Sequence, residues 1–562
     1  MCDEIYLLYR DSLKTSGEVI LNVSSIEKTF KPNSDHKSAV SKYGMVASAF
    51  PDATKAGVEM LKKGGNAVDA ACATALALGV CEPQASGIGG QSYAILNFKG
   101  KVFCVDGSSR APSKANSNTM RKKHNRVLGY RASTVPSTLA LIGFLNKRYG
   151  RLDWSTVVKP SIRIAKRGYK ITKLQHDSQV NKLKDFLSIK SRSGAKYFLK
   201  DGEVPYNIGD RFIQDDLAHT LSHISKNGWN SFYRGIIANQ IDKDMINNNG
   251  LLRAEDLSLI PEPIVRKPLH RNYRGVGVYV PPPPTAGATL LLVLMMMSHF
   301  PSKFLTGTNL ESFHFMSEIY RKAFLHRTQR PFDPDTYHQT TDENHLSRKF
   351  AYSLAKSIRN TVDPTLPLKN PEQIEDTTHL SVMDDEGNAV GITQSIELVY
   401  GSKVAADGLG FLYNNYMAAY EYENVNHPYF IRPNTVPWTS VSPAILFNNN
   451  KLWMVVGSPG SERIFSTVGG FLSAVIDNDM DIRKAMLKPR FHCSIGGTIS
   501  FEAERFDPKI INYLDSLTYK VQQKEPFAFY HGAIHAVMKC QSMGGFQGVA
   551  EARRDGTAEG VN

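Results

Sequence analysis

Asp376 and Thr377 are the neighbours whose types and placing carry the most chemistry in this chain. Thr377 opens a run of β-branched, aliphatic and hydroxyl residues, Thr377-Thr378-His379-Leu380-Ser381-Val382, after an irregular, Pro-punctuated stretch from Val362 to Asp376. If the peptide bond between them breaks, Thr377 carries a hydroxyl and a free α-amine on one residue. Such an amine titrates near pH ~8, so a useful fraction is neutral at physiological pH and can act as base for its own hydroxyl. Thr paired with an N-terminal amine is a known way to activate this weak nucleophile, and it needs no His or Asp relay. The plain alternative is that Thr is a good strand former and stands here for that reason alone.

The chemistry depends on Thr377 standing at the start of a strand. Thr377 to Asp384 and Ala389 to Ile396 share the same rough alternation and flank Asp385-Glu386-Gly387, which reads as a hairpin. A type I turn closed by a left-handed residue wants Gly last, where Gly387 stands. With that loop Asp384 faces Asn388 and Thr377 faces Ser395; a slip of one residue would turn Ser395 to the other face.

Upstream, Ala53 to Leu78 reads as two helices, the first capped at Gly64-Gly65 and the second starting near Asn66. Ser86 to Gly90 lacks the Lys-Ser/Thr ending of a phosphate loop and the spacing of a dinucleotide fingerprint, and reads as a tight turn packed against other backbone. Tyr93 to Val105 predicts a hairpin turning near Lys99-Gly100. Ser155 to Gly168 and Gln214 to Asn227 predict helices, the first interrupted or kinked by Pro160. Pro281 to Pro284 predicts a stiff entry to a helix over Thr285 to Met297, whose leucines and methionines read as core.

With 562 residues, 42% hydrophobic, the chain has material for a large core. Neither an internal repeat nor a low-complexity linker divides it. The net charge of +14 invites a nucleic-acid reading, but the basic residues are scattered, with only short clusters such as Arg121-Lys122-Lys123. The charge reads as solvated surface, with no nucleic-acid partner expected. Met1 to Arg10 mixes Asp3, Glu4 and Arg10 with apolar residues, unlike a secretory signal, and the longest apolar stretch, Ala286 to Met297, is too short to span a bilayer. The six cysteines, Cys2, Cys72, Cys81, Cys104, Cys493 and Cys540, show neither metal spacing nor a paired framework. These features predict a cytoplasmic protein with free thiols and no membrane span, metal or cofactor.

Thr377 to Val382 with Gly387-Asn388-Ala389-Val390 resembles the start of the small subunit of the gamma-glutamyltranspeptidase family. Further blocks stand in matching order: Gly64 to Ala70, Gly87-Ile88-Gly89-Gly90, Arg110-Ala111-Pro112, Tyr149-Gly150-Arg151-Leu152 and Gly457-Ser458-Pro459-Gly460. The resemblance runs from about Gly44 to Gly560. It implies an α+β fold, the four-layer αββα sandwich of N-terminal nucleophile hydrolases, and one intertwined unit. A tail, 1–43, would precede a large-subunit region, 44–376, and a small-subunit region, 377–562, and the two pieces would stay associated after self-cleavage.

By the same resemblance Thr377 is the nucleophile and Ser395 orients it, where the family usually has Thr. Gly460 and Ser461 offer backbone N–H groups to the oxyanion, and Thr439 and Ser440 match a hydroxyl pair that holds a substrate carboxylate. Glutathione-acting members grip the glutamyl carboxylate with an Arg where this chain has Ser108; Arg110, two residues on, is the substitute carboxylate anchor or a surface charge. They hold the α-amine with an Asp ending Asn-Asn-x-Met-Asp-Asp, where this chain reads Asn414-Asn415-Tyr416-Met417-Ala418-Ala419. Glu397, where the family usually has Asn, is the candidate replacement, or else a solvated strand-end carboxylate. Gly107 to Pro112 resembles instead a side branch that includes oxamate amidohydrolase and cephalosporin acylases. The expected function is that of a self-processing amidohydrolase or acyltransferase acting on a small-molecule amide, γ-glutamyl or a related acyl substrate. The alternatives are a glutathione hydrolase with a rebuilt amino pocket and an uncleaved, inactive binding protein.

Overall fold

The computed structural model describes residues 37–306, 310–329, 345–359, 376–540 and 544–562. The expected hairpin is at its centre. Strands Thr378–Asp384 and Ala389–Ser395 pair antiparallel with Thr378 opposite Gln394 and Met383 opposite Ala389, the register read from the sequence. Gly387 closes the turn at φ 83°, a conformation that a Cβ would strain.

This hairpin is the middle of a seven-stranded antiparallel sheet in the order Thr557–Val561, Gly44–Ser48, Thr378–Asp384, Ala389–Ser395, Gln91–Phe98, Lys101–Gly107, Ile264–Arg266. A second seven-stranded antiparallel sheet runs Ser38–Ser41, Gly545–Ala550, His535–Cys540, Lys451–Gly457, Ala444–Asn448, Val276–Val280, Leu269–Tyr273.

The two-residue period of the strands divides the core into layers. Met45, Ala47, Ile95, Met383, Ile445, Val455 and Val537 fill the space between the sheets. On the outer face of the first sheet Val46, Leu96, Leu380, Val382 and Ile392 pack with helices Pro51–Lys62 and Ala67–Cys81. On the outer face of the second, Leu446, Met454, Val456 and Ala536 pack with helices Gly287–Met297 and Ile464–Ile476. The result is helix, sheet, sheet, helix, the expected four-layer α+β sandwich.

The local expectations have identifiable causes. Asn66 caps helix Ala67–Cys81 by accepting from the N–H groups of Val68 and Asp69, and the Asp69 carboxylate returns a bond to Asn66 N–H, so the chain after Gly64-Gly65 restarts where the sequence indicated. Helix Trp154–Arg167 runs on through Pro160 without a restart. Helix Gly287–Met297 begins two residues after its expected start at Thr285 and is buried along its length. The second sheet reaches into the N-terminal stretch: Ser38–Ser41 is its edge strand, paired with Gly545–Ala550.

Candidate active site

Thr377 lies one residue before its strand, and the hairpin register extended by one step puts it opposite Ser395. Ser395 pairs on its other side with Gln91, and the pairing of Ser92 with Gly107, extended likewise, puts Ser108 beyond Gln91. Thr377, Ser395, Gln91 and Ser108 thus form one row across four adjacent strands, all on one face, and at ~4.8 Å per strand Ser108 stands about 14 Å from Thr377. The row shares its face with His379 and Ser381, and Ser381 Oγ donates to the carbonyl of His535 in the second sheet at 2.9 Å. The row therefore sits at one end of the space between the sheets.

The carbonyl oxygen of Asp376 is the focus of the row. Thr377 Oγ1 donates to it at 2.8 Å, and Ser395 Oγ donates to it at 2.8 Å. Ser395 in turn accepts the N–H of Glu397 at 2.8 Å, and the Glu397 carbonyl accepts the N–H of Asp376 at 2.9 Å. Glu397 adopts φ 82°, a backbone conformation rare for a residue with a Cβ, and its backbone N–H and carbonyl link Ser395 to Asp376. Asp376, Thr377 and Ser395 are all buried.

The surroundings hold this arrangement by close backbone approach. A Cβ on Gly90 would run into the carbonyl oxygen of Ser395, and one on Gly89 into that of Leu412, which is why the Gly-rich turn reads as packing and not as a phosphate loop. Gln91 Oε1 accepts from Ser109 N and Oγ, both at 2.9 Å, and Thr134 Oγ1 joins Ser109 to Asn414 Oδ1. Asn415 accepts from Leu398 N at 3.0 Å, so the Asn-Asn pair braces the strand end that carries Ser395.

His379, although next to the site, is no base. Its Nδ1 meets Thr393 Oγ1 at 2.9 Å, its Nε2 meets Ser381 Oγ at 3.0 Å, and burial pushes its pKa down to about 3. It is a neutral link between the two strands of the hairpin, beneath Gly457 of the second sheet, where a Cβ would come within 2.5 Å of the ring.

Gly460 and Ser461 follow strand Lys451–Gly457 in a turn with φ 127° and 56°, closed by Arg463 N donating to Gly460 O at 3.0 Å. The charge of Arg463, just past this turn, favours the ionised form of Asp376. Arg110 hydrogen-bonds the carbonyl of Asn434 at 3.1 Å and lines a small cleft with Asp106, Ser108, Ser137 and Glu262. Ser108, at the position of the family Arg, is committed: its hydroxyl donates to Asp106 at 2.5 Å and meets Tyr93 Oη at 2.8 Å, while Asp106 pairs with Arg266. Thr439 and Ser440 are held by Arg327, whose guanidinium donates to the Thr439 carbonyl and to Ser440 Oγ at 3.4 Å and lies 4.2 Å from the Trp438 ring centre. The structure thus gathers Thr377, Ser395 and Glu397 about one carbonyl, while the hydrogen bonds of Arg110, Thr439 and Ser440 go to other residues.

Sequence reasoning missed Arg554, Glu82 and Arg327. Arg554 Nη2 meets Asp376 Oδ1 at 2.6 Å, and its Nη1 reaches Glu82 Oε1 at 3.2 Å and Thr377 O at 3.3 Å. The signal available was Glu82, a carboxylate at the C-cap of helix Ala67–Cys81, whose residues after Asp69 are apolar but for Thr74.

A four-layer sandwich with a buried Thr at the head of a central strand defines the N-terminal nucleophile hydrolase class. Comparison with known proteins narrows this: the family model for gamma-glutamyltranspeptidase matches residues 53–561. The chain belongs to the gamma-glutamyltranspeptidase family. It is 32% identical over 512 residues to a glutathione hydrolase proenzyme of Escherichia coli (strain K12), covering 86% of this chain and 87% of that protein. It is 28% identical over 547 residues to the acylase ACY 1 proenzyme of Pseudomonas sp. (strain V22), covering 94% and 95%. The crystal structure of cephalosporin acylase from Bacillus halodurans superposes with a TM-score of 0.85 at 26% identity, covering 95% of this chain and 99% of that one. The chain is accordingly an enzyme of this family, related to both its glutathione hydrolases and its acylases, and the similarity to the acylases agrees with the branch read from Gly107 to Pro112. Among the described residues no helix is long and apolar enough to cross a membrane.

Proposed function

We propose that the chain is the precursor of an acylase-like amidohydrolase that cuts itself between Asp376 and Thr377 and then uses Thr377 as nucleophile. The observation that carries this reading is the convergence of Thr377 Oγ1 and Ser395 Oγ on the Asp376 carbonyl oxygen. A hydroxyl at the carbonyl it is to attack, with a second hydroxyl already polarising that carbonyl, is the arrangement an N-to-O acyl shift needs.

In the mature enzyme the freed Thr377 amine serves as base for Oγ, which attacks the substrate amide. Ser395 orients the nucleophile, and Gly460 and Ser461 supply N–H groups to the oxyanion. Water or an amine then releases the acyl group. The row from Thr377 toward Ser108 offers the acyl chain a path to Arg110, the proposed carboxylate anchor, with Thr439 and Ser440 on the Arg327-braced loop as a second polar contact. Without the Asp that would pair an α-ammonium group, Ala418 and Ala419 favour an acyl substrate lacking that group. A side-chain role for Glu397 would restore a partner for it; that and the retained hydroxyl pair support the second reading, a γ-glutamyl substrate.

Residues 1–376 and 377–562 then form two chains that stay together, because each contributes strands to both sheets and parting them would break pairings in both. The test is turnover of a panel of acyl and γ-glutamyl anilides by wild type and Thr377→Ala. Release of aniline that requires Thr377 supports the reading; release unchanged in Thr377→Ala overturns it.

A further inference from the structure

Asp376 does more than precede the nucleophile. Its Oδ1 accepts the N–H of Thr377 at 2.8 Å, so its carboxyl touches the nitrogen that must leave when the bond is cut. Arg554 grips that oxygen with Nη2 and reaches the Thr377 carbonyl with Nη1, so one guanidinium holds residues on both sides of the bond. The same guanidinium binds Glu82 and lies 4.2 Å from the ring centre of Phe529. All three charged side chains are buried, and among the described residues Asp376 Oδ2 has no hydrogen-bond partner.

We propose that the Asp376 carboxyl is the proton carrier of self-cleavage, with Arg554 and Glu82 as its positioning residues, an inference that rests on the self-processing reading above. Thr377 Oγ forms a bond to the Asp376 carbonyl carbon and the C–N bond breaks. The nitrogen keeps its hydrogen, gains a second from the Asp376 carboxyl, and leaves as a neutral amine. The proton given up by Oγ returns the carboxylate to its acid form, so no proton is gained or lost. The peptide bond has become an ester of Thr377 Oγ, which water opens to a carboxyl on Asp376 and the Thr377 hydroxyl.

The charges around Asp376 suit this role. Burial raises its pKa, while Arg554, its bond from Thr377 N–H and the nearby Arg463 draw it back. Glu82 competes for the same guanidinium, and burial, with the charge of Asp376, pushes it up to about 8. Tyr400 also feels the Asp376 charge and is itself held neutral by burial. Two buried carboxyls that share one guanidinium do not both ionise readily, and burial favours the acid form of each.

The test follows the chain from synthesis. Wild type, Asp376→Asn, Arg554→Lys and Arg554→Gln are made in a cell-free system, and the split is timed by intact mass from about pH 5.5 to 9. A general acid typically contributes ~100-fold or more, so Asp376→Asn is expected to split at least ~100-fold more slowly and to remain resistant to neutral hydroxylamine, which opens esters but not amides. Wild-type splitting is expected to slow as pH rises through the titration of the carboxyl, with a flatter profile in Asp376→Asn. Arg554→Lys should keep part of the rate and of the pH dependence, and Arg554→Gln should lose both. Splitting of Asp376→Asn within about threefold of wild type, or its accumulation as a hydroxylamine-sensitive ester, overturns the proposal. If the variants do not fold, the wild-type profile decides alone: a flat profile overturns it. A wild-type chain that never splits overturns the self-processing reading instead.

Discussion

Ser395 Oγ donates to the carbonyl oxygen of Asp376 at 2.8 Å, from the residue directly across the hairpin from Thr377. The contact places a donor where negative charge develops when Thr377 Oγ attacks that carbonyl. Removing such a preorganised donor typically costs ~3 kcal/mol. Ser395→Ala is therefore expected to slow appearance of the split chain about 100-fold, while Ser395→Thr keeps the hydroxyl and splits at close to the wild-type rate. Equal rates for wild type and Ser395→Ala, timed by intact mass, would contradict this role.

Gly90 is expected to tolerate no side chain, because a Cβ there would overlap the carbonyl oxygen of the same Ser395. The neighbour is backbone in a central strand and cannot swing aside. Gly90→Ala should lower stability by roughly 2 to 4 kcal/mol and delay splitting, whereas Gly470→Ala, in helix Ile464–Ile476 where a Cβ would meet only Tyr320 Oη at 3.4 Å, should change stability by less than about 1 kcal/mol. Urea unfolding of both variants in a Thr377→Ala background separates the two effects; equal midpoints would contradict the packing assigned to Gly90.

Much of this arrangement is legible in the sequence, and the reason is locality. The hairpin register follows from the two-residue period of its strands and the Gly that closes its turn, and the Asn66 cap follows from residues three apart. The motif blocks then locate Thr377. What the sequence hides is long-range pairing of charge: Arg554 stands 178 residues from Asp376 and 472 from Glu82, and nothing in the local pattern of either carboxylate names its partner. Arg327 is hidden likewise, a cation on a mixed helix, Leu310–Gln329, that braces a loop more than a hundred residues on. Ser108 shows the opposite case, since its departure from the family is visible in the sequence but its engagement with Asp106 and Tyr93 is not.

Among the described residues six buried histidines make stability depend on pH, including His299 and His314, both with pKa values lowered by burial. Burial lowers the pKa of His379 and His492 to about 3, and holds His531 and His535 well below the ordinary value. Each stays neutral in the folded chain and takes up a proton in the unfolded one below pH ~6.5, so its stabilising contribution is complete above that pH and is lost as pH falls toward the folded value. Glu82, whose folded pKa is raised, has the opposite sign, as do Asp376, Asp384 and Asp555, whose pKa values burial also raises, and these carboxyls offset part of the effect. The histidine contribution is lost as pH falls from about 6.5 to 5. Thermal unfolding of Thr377→Ala should show Tm dropping steeply over that interval; a level Tm would contradict burial of these rings as neutral groups.

Arg110 is expected to bind substrate without touching the reacting atoms. Arg110→Ala should raise KM for a carboxylate-bearing acyl substrate by about 10-fold or more while changing kcat little. Arg110→Lys keeps the charge but loses the planar fork, and should fall between the two. An unchanged KM for the best substrate of the panel would remove Arg110 from the site.

Everything proposed for the mature enzyme begins with one cut. Intact-mass analysis of the purified wild-type chain beside Thr377→Ala and Thr377→Val tests it most directly. The expected result is two chains from wild type, the smaller beginning at Thr377, and a single uncut chain from each variant. A wild-type chain that remains whole, or variants that split at the same bond, would contradict Thr377 as the nucleophile of its own release.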